Sequence, residues 1–562
     1  MIMRPLVRPA VRAADSRLRL ARPARKAMDK IFPDHWSFML GEIALYAFAV
    51  LVITGIFLAL FFEPSTAETV YRGDYAPMEG KTTSAAYASA VALSHDVQGG
   101  LLMRQTHHWA ALVFIAAITL HLCRIFFTGA FRRPREINWL VGVTMLVLAL
   151  LNGFTGYSMP DDLLSGTGLR ITNSVVLSVP VVGEWLAFVV FGGEFPADQT
   201  IPRMFTAHVF LVPGLLIALI GVHMLILIRQ KHTQFPGPGR GERNVVGSRL
   251  WPAYTLRTLA LFAAVLAALF TLGGLFQINP VWIYGPFEPA SATSPAQPDW
   301  FVAWEEGALR LFPPSEFHLF GYLVPAPFLP GVVLGGLTFL GLYAWPFLEA
   351  RFTGDREPHQ LLDRPRDHPV RLAIGVTALF FYGLLVASAA DDVLADTLHV
   401  LVTDVVLAFR VLVLTVPWIA GLVAFVLARA AQGVPGGVGD ITRADVKAAL
   451  RRGPVPRPGK SVRPARRLEC WREPDRSWRW RYLEDRDGAK PLVLNGSKVY
   501  DSEQAAAEAA ATAYPDVPLQ TTQPPNGEVP APPAGDERPS RTGRVVLGAV
   551  GVLAARILRG KR

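Results

Sequence analysis

Long apolar runs alternate with short polar stretches over the first three-quarters of the chain. A helix needs about 20 consecutive apolar residues to cross the hydrocarbon core of a bilayer. Eight segments meet that need, near residues 38–62, 105–128, 138–157, 204–229, 255–277, 325–347, 370–390 and 403–429. Backbone polar groups in lipid must be satisfied within their own segment, so these runs predict helices. The expected fold class is an all-α membrane protein with eight transmembrane helices: a four-helix bundle followed by a C-terminal helical half.

The polar stretches predict orientation. Arg17, Arg19, Arg22, Arg25, Lys26 and Lys30 precede the first run. The second loop carries Arg132, Arg133 and Arg135, and the fourth Lys231, Arg240, Arg243 and Arg249. The sixth carries Arg351, Arg356, Arg364 and Arg366. The fifth loop has only Arg310, and the seventh has neither Lys nor Arg. Positive loops stay in the cytoplasm, so both termini are expected there. Residues 174–192 are apolar enough to suggest another span, but they contain Pro180, Gly183 and Glu184. The basic loops on either side require an even number of crossings between them. This segment is therefore expected as helices on the periplasmic surface.

Composition agrees. Of 562 residues 51% are hydrophobic and 18% charged, against about 25% charged in soluble domains. The formal charge of +10 lies in alternate loops and at the ends, as membrane orientation needs, and signals no nucleic acid. Cys123 and Cys470 suggest no disulfide framework, and without a C-x-x-C-H motif covalent c-type haem is excluded. The expected domains are a basic cytoplasmic tail over 1–34, four-helix halves over 35–235 and 236–430, and a cytoplasmic extension over 431–562. The tail lacks the apolar core of a secretory signal. Within the extension, 432–466 reads as a linker and 468–515 as a small module of strands, with turns at Asp487-Gly488 and Asn495-Gly496, then an Ala-rich helix. Residues 516–542 are Pro-rich and expected to be disordered, and 544–559 suit an interfacial helix.

Most of the 12 histidines need no special role. His35, His95, His359, His368 and His399 fall in loops or at span ends. Ionisable side chains inside spans are costly and usually functional. His107 and His121 are 14 residues apart, which at ~100° and ~1.5 Å per residue gives nearly one face and about 21 Å of separation. His208 and His223 are 15 apart, or about 22 Å. Two helices thus each offer one histidine near either membrane surface. This predicts two stacked bis-histidine sites suited to haem iron, in preference to four separate structural histidines. His108 competes with His107 but points about 100° away, so His107 is assigned. Arg104 and Arg124 stand about one turn from His107 and His121. They could meet haem propionates or reach for the interface. Gly41 and Gly55, and Gly142 and Gly156, repeat the 14-residue interval. Either a flat macrocycle or helix packing asks for small residues there.

These features, with Arg203 and the motif Pro298-Asp299-Trp300-Phe301, resemble cytochrome b of the bc1 family over about residues 30–430. The 15-residue histidine spacing is similar to the b6 and bacterial branches, while the unsplit chain differs from b6f. FTGAFRRPRE, GYSMPDDLLSG and QKHTQFPGPGR resemble the actinobacterial form, which implies menaquinol and a bacterial plasma membrane. The resemblance implies a quinol–cytochrome c reductase running a Q cycle, with a Rieske iron–sulfur protein and a cytochrome c as partners. It also implies a homodimeric complex and contact with a terminal oxidase in a supercomplex. His107 and His208 would hold a low-potential haem near the periplasm, and His121 and His223 a high-potential haem near the cytoplasm. Asp299 would be the base for quinol in a pocket with Pro298, Trp300, Phe301 and Tyr157, completed by Asp161 and Asp162. The family motif has Glu and Tyr where Asp299 and Phe301 stand, and mitochondrial relatives have Tyr in place of Glu306. His232 falls where the family has a quinone-reduction histidine, although Lys231 and Arg229 beside it suit plain surface anchoring as well. The family's lysine–aspartate pair before the fifth span has no clear counterpart in RLWPAYTLRT. Another di-haem b anchor and a proton-conducting transporter are the alternatives. The first leaves the 298–301 motif unexplained, and the second predicts no haem.

Overall fold

The computed structural model describes residues 28–290, 297–432 and 466–522 (apart from 487, 488, 497 and 516), together with Arg17 and Arg19. Most of the expected linker, of the Pro-rich segment 516–542 and of the basic tail, and all of the interfacial helix, lie outside the described residues. At the head of the Pro-rich segment, expected to be disordered, Leu519–Thr521 is instead a strand. The chain divides into two compact units, Met1–Val455 and Pro456–Arg562. Residues 35–235 and 236–430, expected as separate halves, belong to one unit. The fifth span packs closely on the second: a Cβ on Gly273 would lie 2.5 Å from Thr106 Oγ1.

Eight described helices are long and apolar enough to cross a membrane: Trp36–Ala59, Gly100–Phe127, Glu136–Tyr157, Thr200–Gln230, Leu250–Leu275, Phe328–Thr353, Pro369–Ser388 and Val402–Ala431. They are termed the first to eighth spans. Most ends fall within a few residues of the hydrophobic runs. The second begins earlier, taking in Gly100–Arg104, and the sixth ends later, because its helical hydrogen bonding continues past the apolar run into Glu349 and Arg351. Gly354, at φ +71°, ends the sixth span in the left-handed region that glycine tolerates.

The basic loops gather at one end of the bundle. Arg135 makes that end a single structure: it donates to His359 O, Gln230 O and Lys231 O, and to Gln360 Oε1 at 2.7 Å. It thereby satisfies carbonyls left open where the fourth span stops. Arg371 is buried between Glu349 and Asp363. The strand Ile31–Phe32 pairs with Ser248–Arg249, tying the start of the first span to that of the fifth.

At the opposite end Asp162 bridges to Pro286. The segment around 174–192 forms two helices, Leu163–Leu177 and Gly183–Phe191, interrupted after Pro180. Neither qualifies as a span. Asp162 starts the first of them with a reciprocal capping box: its carboxylate accepts from Ser165 N, and Ser165 Oγ accepts from Asp162 N. The amphipathic helix Trp300–Leu311 lies at the same end, buried through Phe301, Ala303, Gly307 and Ala308.

In the second unit, strands Arg466–Arg472, Trp478–Arg486 and Ala489–Asn495 form an antiparallel meander. Helix Glu503–Ala513 follows, capped by Ser502, and strand Leu519–Thr521 returns parallel to the first strand. Alternation along the strands buries Leu468, Cys470 and Tyr482 beneath Ala506 and Ala510.

Candidate functional site

His107 and His208 face each other with ring centroids 6.1 Å apart and planes at 68°. The second nitrogen of each ring is already used. Thr54 Oγ1 donates its proton to Val50 O at 2.7 Å, so it accepts from His107 Nδ1 at 2.9 Å. His208 Nδ1 donates to Asn152 O at 2.8 Å. With the proton on Nδ1, each Nε2 keeps its lone pair. This is the tautomer that a metal-ligating histidine with a backbone or hydroxyl partner adopts. The gap suits one metal ion at the usual imidazole–metal distance of about 2 Å. His121 and His223 make the second pair, close enough to interact electrostatically. Among the described residues His121 Nδ1 has no hydrogen-bond partner, and His223 approaches Asn138 without closing a bond.

The repeated glycines meet the histidines themselves. A Cβ on Gly55 would lie 3.1 Å from His107 Cε1, and one on Gly41 3.2 Å from His121 Cε1. On Gly156 it would lie 2.5 Å from His208 Cε1, and on Gly142 3.9 Å from His223 Cε1. The interval read as room for a macrocycle or for helix packing is room for four imidazoles.

Arg104 donates from one guanidinium nitrogen to Asn279 O at 3.1 Å, while its buried Nε and Nη2 have no partner among the described residues. Arg124 lies over the Phe38 ring at 4.3 Å, also with Nε and Nη2 buried and unpartnered. Unpaired buried guanidinium donors are expensive. A bound anion at each end of the second span would satisfy them. Arg203 instead donates to the Phe188 and Val189 carbonyls.

His108 was set aside as a ligand, and the structure supplies its partner. Its Nε2 meets Asp299 Oδ2 at 2.8 Å and Oδ1 at 2.9 Å. Asp299 begins the Trp300–Leu311 helix, but its carboxylate makes no side-chain cap. A second histidine on an adjoining helical face, with an acid in the 298–301 motif, was the available signal.

Beside Asp299 a cavity of about 280 Å³ opens between the third span and the Leu163–Leu177 and Trp300–Leu311 helices. Tyr157, Pro298 and Phe301 are among the residues that line it. Gly153 lets Phe301 in: a Cβ there would meet Phe301 Cζ at 2.7 Å. The other residues expected in this pocket lie elsewhere. Asp299 turns to His108 and is absent from the cavity wall. Trp300, 38% exposed, is absent too. Asp161 and Asp162 also lie off the wall, and Asp162 is occupied by its capping box. The carboxylates on the wall are Glu305 and Glu306. Glu306 accepts from Arg310 Nε at 2.9 Å, and Arg310 continues to Asp391 and, at 3.5 Å, Asp392. Burial pushes Glu305 up to about 7. It went unnoticed because only the helix's docking shows which of two adjacent glutamates is left without an arginine.

At the arginine-rich end His232 follows the fourth span. Its ring sits 4.6 Å from Phe32, and its Nε2 is buried without a partner among the described residues. Burial, then the charges of Lys30, Arg124 and Arg135, hold it down to about 4, so it is neutral at pH 7.

Over 387 residues the chain is 51% identical to the cytochrome bc1 complex cytochrome b subunit of Mycobacterium tuberculosis, covering 69% of this chain and 70% of that one. The chain belongs to the cytochrome b family of the bc1 complex. The cytochrome b subunit of Streptomyces coelicolor is 44% identical over 408 residues, 72% of this chain and 75% of the relative. A family model described as cytochrome b (N-terminal)/b6/petB matches residues 112–286. The fold is shared with a chain of a solved hyperthermophilic respiratory complex III at a TM-score of 0.55 and 22% identity, covering 74% of this chain and 99% of that chain. As a multi-pass membrane cytochrome b the protein carries b-type haem. The paired histidines, with Nε2 of His107 and His208 left free, and the unsatisfied arginine donors fit that group.

Proposed function

We propose that this cytochrome b oxidises quinol at the periplasmic side and reduces quinone at the cytoplasmic side in a proton-translocating Q cycle. The observation that carries the reading is the stacking of two histidine pairs across the bundle beside an apolar cavity bearing an unpaired acid. Haem bound at each pair, low-potential outside and high-potential inside, supplies one-electron transfer across the membrane. The arginine-rich end is cytoplasmic by the positive-inside rule, and with it both termini. The quinone is menaquinone, as the resemblance of FTGAFRRPRE, GYSMPDDLLSG and QKHTQFPGPGR to the actinobacterial form implies. The partners are a Rieske iron–sulfur subunit and a cytochrome c subunit, in a homodimeric complex within the bacterial plasma membrane that contacts a terminal oxidase.

Quinol enters the cavity against Tyr157, Pro298 and Phe301. It must lose two protons and two electrons. Glu305 has no ion-pair partner among the described residues and lies in apolar surroundings, so it is suited to accept a quinol proton. Glu306, Arg310, Asp391 and Asp392 form a charged line from the cavity to the half-buried Asp392. Asp299, with His108, anchors the start of the helix that carries both glutamates.

A dithionite-minus-ferricyanide spectrum of the purified complex should show b-type absorption, and its absence would end the haem reading. Glu305→Gln should slow quinol oxidation by about 10²-fold, the scale of a lost general base, with both haems retained. Glu305 works as a base only when ionised, so the wild-type rate should rise as pH increases through about 7 and the variant should lose that rise. Asp299→Asn should have the smaller effect. The reverse order would return the role of base to Asp299.

A further inference from the structure

A hydrogen-bonded square of side chains joins the first and fifth spans near the arginine-rich end. Glu42 and Tyr46 stand one turn apart on the first span, and Tyr254 and Thr258 one turn apart on the fifth. Tyr254 Oη donates to Glu42 Oε1. Thr258 Oγ1 donates to Glu42 Oε2 at 2.5 Å. Thr258 has spent its proton on Glu42, so Tyr46 Oη donates to Thr258. The direction is therefore Tyr46 to Thr258 to Glu42, with Tyr254 converging from the other side.

No cation pairs with Glu42 among the described residues. The neighbouring acids at this end are engaged: Asp34 with Arg257 at 2.6 Å, Asp363 with Arg371 at 2.8 Å, and Glu349 with the same arginine. A carboxylate inside a span is costly and asks for a function. One held by hydroxyls alone can take up or release a proton without breaking an ion pair.

Two neighbours connect this group to the reaction. Gly41, the preceding residue, packs against the His121 ring. Tyr254 stacks on Phe32 at 4.4 Å, and the same Phe32 ring sits 4.6 Å from His232. The charged and titratable groups around the square are Lys30, Asp34 and His232, with Arg257 on the fifth span. Lys30 is held by the Ile228 carbonyl at 2.8 Å.

We propose that Glu42 is a proton donor to quinone at the cytoplasmic site, held in place by Tyr254 and Thr258. The inference rests on the Q-cycle reading above. Reducing one quinone takes two protons and two electrons, one electron from each of two quinols oxidised at the other site, whose second electrons go to the Rieske iron–sulfur partner. The Glu42 carboxylate, which accepts on both oxygens in the resting square, first takes a proton from the cytoplasmic side. That proton then leaves as a quinone O–H bond forms, and the carboxylate is returned. The other enters by way of His232. Glu42 thereby takes the part of the acid that the RLWPAYTLRT stretch does not supply.

The test uses the whole purified complex, with added short-chain menaquinone re-oxidising pre-reduced haem while the periplasmic-side site is blocked. Glu42→Gln should retain both haem bands, re-oxidise at least about tenfold more slowly, and flatten the pH dependence of that rate. Glu42→Asp should restore part of the rate. The infrared difference spectrum on quinone reduction should lose a carboxyl band in Glu42→Gln. A wild-type rate with an unchanged infrared spectrum in that variant would overturn the proposal. If Glu42→Gln fails to assemble, Thr258→Val should still slow re-oxidation, and an unchanged rate there counts equally against it. Wild-type haem that menaquinone cannot re-oxidise would refute the Q-cycle reading itself, a result distinct from failure of Glu42 alone.

Discussion

Replacing His223 with alanine should leave the complex with one haem instead of two. The two histidine pairs are built separately: His107 and His208 have their own partners in Thr54 and Asn152. The other pair stands about 21 Å further along the second span. Removing one imidazole takes away half of a two-ligand site, and no third ligand is at hand. No cluster of three or more metal-binding side chains occurs among the described residues. The haem-to-protein ratio should fall by half, the remaining spectrum should be that of the His107–His208 pair, and quinone reduction should be essentially abolished. His208→Ala should produce the complementary loss. An unchanged ratio in His223→Ala would refute its assignment as a ligand.

Gly156→Ala should be severe where Gly142→Ala is mild, although the two glycines share one helix and one interval. A Cβ at 156 would lie 2.5 Å from His208 Cε1 and 3.0 Å from Nδ1. The ring cannot easily retreat, because its Nδ1 is bonded to Asn152 O. Either the bond breaks or the helices separate, at about 1–3 kcal/mol for overpacking. At 142 the nearest atom would be 3.9 Å away, an ordinary contact. There alanine should be neutral or improve stability by up to about 1 kcal/mol through helix propensity. Haem content and the thermal midpoint of each variant measure the contrast. Equal effects would show that the glycines serve general helix packing.

Much of the site was legible because the bilayer imposes a strict period. Once a segment must be a helix, spacings of 14 and 15 residues become faces and depths, so His107, His121, His208 and His223 pair from numbers alone. The even number of crossings that the basic loops require rejected residues 174–192 as a span, and the structure has two short helices there. The same arithmetic was less informative for His108. It showed that this ring points elsewhere, and could not show toward what. Its partner is 191 residues away, in a loop with no period to read.

The cavity follows the same rule. The motif at 298–301 marked the region, and Pro298 and Phe301 do line the wall. Which acid faces inward depends on how the Trp300–Leu311 helix rolls onto the third span. That roll is set by Phe301 settling against Gly153 and by Arg310 drawing Glu306 toward Asp391, leaving Glu305 as the wall carboxylate without an arginine. Glu42 is a similar case: its two donors come from a span more than 200 residues later.

By itself the sequence determined the eight spans, the alternation of basic and non-basic loops, the pairing of the four histidines and the matching interval of the glycines. All of these follow from periodicity and from the cost of polar groups in lipid, which act along one helix at a time. Only the tertiary structure decided that Asp299 meets His108, that Glu305 faces the cavity and that Glu42 closes a hydrogen-bonded square. Those are contacts between helices, whose rotation and register are chosen by packing over the whole bundle.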